Sequence, residues 1–170
     1  MKLNKSSFCR TTNCFRVLGV LTLFIISITT SCSKRSVVED YRRLNHSEWH
    51  QDTLLVFEMN IPDPKKVYNL SFTVRNEGSY AFSNLWLFVA VTPPSGKVMN
   101  DTVELTLAKP SGEWLGSGLG DLYDRKYPYK QTIFFPEIGD YSISVRQGMR
   151  TPSGILKGIH DFGIALDKAL

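Results

Sequence analysis

The sequence predicts an all-β fold: an antiparallel β-sandwich of jelly-roll or immunoglobulin-like kind, carried as a single domain behind a lipoprotein signal peptide. Three observations predict it. From Thr53 onward the chain is a series of short runs rich in Val, Ile, Leu, Phe and Tyr, each closed by Gly, Pro, Asn or Asp. No convincing amphipathic helix interrupts them. Ahead of them stand a basic and then apolar leader and a cysteine preceded by small residues.

The leader is residues 1–31. Lys2, Lys5, Arg10 and Arg16 precede an apolar run at 17–28, and Thr29-Thr30-Ser31 leads into Cys32. At ~1.5 Å rise per residue, a run of about twelve residues falls well short of a ~30 Å hydrocarbon core, so it starts export and does not span the bilayer. Small residues before a cysteine suit a peptidase that cleaves ahead of a thiol already carrying diacylglycerol. Thr29 departs from the Leu, Val or Ile usual three residues before that cysteine. The alternative is an ordinary signal peptide cut near Ser31, which would leave Cys32 as an incidental thiol. Cysteine usage favours the lipid: Cys9, Cys14 and Cys32 are all the cysteines, so the mature domain has none for an internal disulfide. Acylation would consume the one exposed thiol. A diacylglycerol plus an N-acyl chain on Cys32, at ~0.8 kcal/mol per buried methylene, holds a protein on a membrane. No other cofactor is expected.

Removing residues 1–31 also removes the basic charge. The formal charge of +4 is the leader's four cations, leaving 16 Lys and Arg against 16 Asp and Glu. A near-neutral mature chain offers no long-range field for nucleic acid, and that class is excluded. Residues 32–51 read as the lipidated N-terminus and a polar tether. Residues 52–170 are left for one β-sandwich domain.

Within that domain, residues 53–60 form a first strand, ended by Pro62-Asp63-Pro64. Residues 67–75 alternate, with Val67, Asn69, Ser71, Thr73 and Arg75 opposite Tyr68, Leu70, Phe72 and Val74, so that one face can be buried and the other wet. Residues 85–91 are apolar on both faces, as for a central strand covered on both sides. Pro93 and Pro94 cannot donate ladder hydrogen bonds, so the chain turns there through Gly96 and returns antiparallel over 97–107, as one strand or two short ones. Residues 131–135 and 140–147 read as another hairpin, with Tyr141, Ile143 and Val145 facing one way, and a last strand covers about 159–166. That makes seven or so strands.

The least ordinary segment is 112–124, GEWLGSGLGDLYD, whose Gly112, Gly116, Gly118 and Gly120 predict a tightly folded loop. It lacks the Lys-Ser/Thr ending of a phosphate cradle and the ligand spacing of a calcium loop, so Asp121 and Asp124 read as solvated turn acids. The partner or ligand contacts predicted here are Trp114, Asp121, Tyr123 and Asp124. Trp114, Tyr123, Tyr127 and Tyr129 would form a stacking platform for a sugar only if at least two of them were exposed and roughly coplanar. His46 and His50 are four apart in the tether, without a His-Glu-x-x-His pattern, and read as a hydrated pair; His160 stands alone. No nucleophile elbow or cysteine nucleophile is present. The expectation is no catalytic residue, no metal site and no small-molecule substrate.

The segments FEMNIPDPKKVYNLSFTVRNEGSYAFSNLWLFV, SGEWLGSGLGDLYD, FFPEIGDYSISVRQGMR and GIHDFGIAL, together with Ser31-Cys32, resemble the gliding-motility lipoprotein GldH family of Bacteroidetes. The core from Trp114 to Asp121 is the most specific of them. The resemblance implies a lipid-anchored accessory of the gliding apparatus and the linked type IX secretion machinery, working by contacts with other envelope proteins. It transfers one functional residue, Cys32, as the acylated position. Surface-exported lipoproteins of this phylum tend to be acidic after the cysteine, whereas Ser33-Lys34-Arg35-Ser36 is basic, so the domain is expected on the outer membrane facing the periplasm. The alternative reading is a carbohydrate-binding lipoprotein module for peptidoglycan or another glycan.

Overall fold

Burial alternates along five of the eight long strands of this domain. The computed structural model describes residues 36–169, so the signal peptide and Cys32 lie outside the described residues. Ten strands follow in order: β1 (Val38–Arg43), β2 (Glu48–His50), β3 (Leu55–Ile61), β4 (Tyr68–Glu77), β5 (Asn84–Thr92), β6 (Met99–Thr106), β7 (Leu122–Ile133), β8 (Gly139–Gln147), β9 (Ile155–Lys157) and β10 (Ile159–Lys168). One four-stranded sheet has the order β1-β10-β4-β7 and a second β3-β8-β5-β6, with β2 and β9 as a small separate pair. All pairings are antiparallel. Setting the small pair aside, first strand joins last, second joins seventh, third joins sixth and fourth joins fifth. That is a long hairpin rolled into two sheets, the jelly roll.

The core lies between the sheets, where Phe57, Met59, Phe72, Leu87, Ile143 and Phe162 are almost wholly buried. Both long sides are closed by polar groups. On one, Arg42 donates to the Val56 carbonyl at 2.9 Å and lies over the Phe57 ring. On the other, the Tyr129 hydroxyl and Lys130 ammonium donate to Asp101 at 3.1 and 2.7 Å. Lys130 holds the Asp101 carboxyl below the usual carboxylate range.

Four readings of the sequence change here. Residues 38–50 are not tether: β1 pairs along β10, and Trp49 of β2 is fully buried, its indole donating to the Thr53 carbonyl at 3.1 Å. An edge strand needs polar outward residues, and VEDYRR therefore looks like a linker. Residues 85–91 are central in their sheet but covered on one face only: Leu85, Leu87 and Val89 point inward, while Trp86 and Phe88 are 39% and 45% exposed. The second face of 67–75 is not simply wet: Ser71 and Thr73 of β4 are buried, and Tyr41 lies beside Thr73 at Gly163 on the outside of the sheet. Residues 131–135 and 140–147 do not pair. β7 belongs to the β4 sheet and β8 to the other, and the connector at 134–138 crosses between them, with buried Phe135 packed on Tyr68 and Tyr141.

The register sorts the connectors into two ends. The start of the domain, where Val37 donates to Leu166, shares one end with connectors 62–67, 93–98 and 134–138. Connectors 44–47, 78–83, 107–121 and 148–154 occupy the other. The glycine-rich segment is therefore at the end away from Ser36.

Candidate functional site

Residues 107–124 form two tight turns in succession, and the glycines explain both. The first is closed by Leu115 donating to the Leu107 carbonyl at 2.8 Å and Lys109 to that of Glu113 at 2.8 Å, with Gly112 at φ +84°. In the second, Ser117 and Asp124 exchange both backbone hydrogen bonds, at 3.1 and 2.9 Å. At Gly118 a Cβ would lie 1.8 Å from the Leu122 carbonyl oxygen, so any side chain there would collide with the returning backbone. The turn is also tied to the β4–β5 connector, where the Gly78 amide donates to the Asp121 carbonyl at 2.8 Å. Fixed in this way, residues 117–121 are all exposed, and Leu119 at the tip is 94% exposed.

The predicted contact residues divide by position. Trp114 is half-buried between Tyr80, at 6.3 Å between centroids, and Tyr123, at 5.8 Å, and Tyr80 in turn meets Phe82. Burial pushes the Tyr80 hydroxyl well above its ordinary pKa, and it donates to the Asn84 carbonyl at 2.8 Å. Trp114 and Tyr123 are thus brought together as the footing of the loop. Asp124, already in β7, is not a free turn acid: it accepts from Arg75 at 2.8 Å and raises that guanidinium's pKa. Asp121 stays exposed beside Leu119.

The sugar platform does not meet its own condition. Tyr127 is buried, Tyr129 is stacked on Phe72 at 4.6 Å and 24°, and Trp114 and Tyr123 are half-buried and tilted by 38°. The reason is β7: it begins at Leu122, inside the expected loop, and runs through residues 125–130, to which the sequence reading gives no element, turning Tyr127 and Tyr129 into the sandwich.

Sequence reasoning missed a polar chain on the outside of the first sheet. Arg75 donates to Asp161 at 2.9 Å as well as to Asp124, and the His160 Nδ1 lies 2.8 Å from Asp161 while its Nε2 lies 3.1 Å from Arg43. An arginine can only donate, so Nε2 accepts and the proton sits on Nδ1 facing the carboxylate. Both ring nitrogens are then engaged within the fold. His46 lies in the turn before β2 and His50 ends that strand, both exposed, and among the described residues no group of three or more His, Cys, Asp or Glu converges to hold a metal. Also missed were Leu119, read only as part of a loop, and the outward Trp86 and Phe88, which period-two alternation within LWLFVAV would have separated from Leu85 and Leu87.

Fold and site together define a class: a jelly-roll module that presents a backbone-fixed loop at one end. Comparison with known proteins places it more closely. The model of the GldH lipoprotein family matches residues 36–166, and the chain belongs to that family. A gliding motility lipoprotein GldH homolog of Christiangramia forsetii is 40% identical over 152 residues, 86% of this chain and 93% of that protein. The gliding motility lipoprotein GldH of Flavobacterium johnsoniae is 34% identical, over 88% of this chain and 95% of its own. This is therefore a gliding-motility lipoprotein, anchored to a membrane by lipid. Among solved structures, the insecticidal delta-endotoxin Cry8Ea1 of Bacillus thuringiensis aligns at a TM-score of 0.39 and 16% identity, over 72% of this chain and 19% of that one, too slight a likeness to argue from.

Proposed function

We propose that this lipoprotein works without catalysis, as a structural component of the gliding apparatus and its linked type IX secretion machinery, and that it does so by protein–protein contact through the loop at 112–124. Its lipid is carried on Cys32, and the domain faces the periplasm from the outer membrane. The observation that carries the contact surface is Leu119, 94% exposed at the tip of a loop whose backbone is held by hydrogen bonds on both sides. A large apolar side chain held out in water costs free energy in the free protein, and a partner pocket would recover it. Because the loop is already ordered, little conformational entropy is lost on binding, which favours a small, well-defined hot spot.

The test is mass spectrometry of proteins cross-linked to the tagged lipoprotein in its own cells, with Cys32→Ala as the unanchored control. Envelope proteins captured with the anchored form should be lost with Leu119→Ser, which removes a hot spot without touching the core; ~2 kcal/mol of binding corresponds to about thirty-fold in affinity. Trp114→Ala combined with Asp121→Asn should lower recovery through the loop's footing. Undiminished capture by Leu119→Ser would remove the loop from the interface, and enrichment of glycan with no envelope protein would favour a carbohydrate-binding module at a surface other than the four aromatics.

A further inference from the structure

The other end of the sandwich carries a second surface, and the chain fixes what it faces. Ser36 is held in the domain by its hydroxyl, which donates to Asp167 at 2.8 Å, and by the following residue's amide on Leu166. Cys32 is four residues earlier. Even fully extended, four residues reach only about 14 Å. With the lipid on Cys32, the Ser36 end of the domain is therefore confined to the membrane surface.

That end is where two connectors leave large apolar side chains in water. Val98 is 51% exposed, Met99 53%, Phe134 61% and Ile138 65%. The connectors brace each other: the Ser95 amide and hydroxyl donate to the two Glu137 oxygens at 2.8 and 2.7 Å, and Pro94 packs against Gly139. Behind Met99 and Phe134 an apolar cleft of about 440 Å³ runs between the β6 and β7 edges, with Lys97 and Lys130 among its lining residues. Exposed Lys65, Lys66, Lys97 and Lys168 surround this end, and Lys34 and Arg35 lie in the link itself. Of its acids, Asp63 is paired with Lys66 and Asp167 with Lys126, while Glu137 and Asp140 accept from the neutral Ser95 and Asn60; with Lys34 and Arg35 the cations outnumber all four. Apolar tips ringed by cations suit a bilayer interface, where the tips enter the headgroup boundary and the ammonium groups meet phosphates.

We propose that this end is a membrane-docking face: Val98, Met99, Phe134 and Ile138 enter the headgroup region of the phospholipid leaflet that holds the anchor, with Lys65, Lys66 and Lys97 against its phosphates. The inference rests on acylation of Cys32. It makes the anchor two-point, lipid and protein together, so the sandwich stands upright and does not swing on its link. β4 has ten residues, and at ~3.3 Å each the Leu119 loop is then held about 33 Å above the leaflet.

The mature lipoprotein itself supports a clean test, because Cys9 and Cys14 leave with the leader and the thiol of Cys32 is consumed by the lipid. Ile138→Cys, Val98→Cys and Leu119→Cys are each labelled with an environment-sensitive fluorophore. The labelled chains are reconstituted into phosphatidylethanolamine–phosphatidylglycerol vesicles containing a quencher on the acyl chains near the headgroup. Labels at Ile138 and Val98 should be quenched several-fold more than the one at Leu119. Equal quenching at all three positions in a chain whose mass shows the lipid overturns the docking face alone. A chain that lacks the lipid at Cys32 overturns the anchor reading, and the docking face with it.

Discussion

At the residue scale, Gly118 and Gly112 show how differently two glycines of one loop are used. A Cβ at Gly112 would meet nothing within 4 Å and would suffer only its φ of +84°, whereas one at Gly118 would strike the Leu122 carbonyl oxygen. Gly112→Ala should cost about 1 kcal/mol, the ordinary penalty of a left-handed residue. Gly118→Ala should cost about 2–3 kcal/mol and open the turn, since the obstacle is backbone and has no rotamer to move to. Hydrogen exchange checks this directly: the Ser117 and Asp124 amides, which bond each other's carbonyls, should lose protection in Gly118→Ala and keep it in Gly112→Ala. Equal protection in the two variants would contradict the close approach. The density of glycines announced a tight loop, but not which glycine is indispensable, because the atom that forbids a side chain at Gly118 arrives with the returning strand.

At the scale of elements, legibility followed how each strand shares its two faces with water. β3, β4, β8 and β10 have strong inward rows, and their positions could be read to within a few residues. β1 and β2 could not, because an outer strand with polar outward residues has the composition of a tether. β7 is legible only from residue 131: its first three residues belong to the glycine-rich segment, and Pro128 masks the inward Tyr127 and Tyr129 over 125–130. Burial then separates two tryptophans that composition treats alike. Trp49 of β2 is completely covered and packs on Phe162 at 5.2 Å, while Trp86 of β5 faces outward. Trp49→Ala should destabilise the domain by about 3–5 kcal/mol, and Trp86→Ala by about 1 kcal/mol or less. In thermal unfolding that is a loss of roughly ten degrees or more against a few. Similar losses for the two would mean that residues 38–50 add nothing to the core.

At the scale of the whole molecule, the class of fold was legible and its topology was not. Alternation is local, whereas a jelly roll is decided by which strand meets which, and its outermost pair joins β1 to β10 from opposite ends of the chain. That closure places Ser36 at one end and the glycine-built loop at the other, so a lipid on Cys32 would put the loop on the side away from the membrane. Which compartment the outward side meets is a separate matter, and the residues next to the anchor bear on it. Ser33-Lys34-Arg35-Ser36 is basic where surface-exported lipoproteins of this kind are expected to be acidic, and apart from Lys34 and Arg35 the mature chain holds 14 Lys and Arg against 16 Asp and Glu. The domain should therefore face the periplasm. Protease added to intact cells should leave it whole, and the same protease after outer-membrane permeabilisation should cut in the exposed turns at the far end, 109–113 and 117–121. Cutting in intact cells would put the loop and its partners outside the cell. Resistance in permeabilised cells would instead indicate that a bound partner already covers the Leu119 tip, an outcome that a mild salt wash before digestion would separate from a loop too rigid to cut.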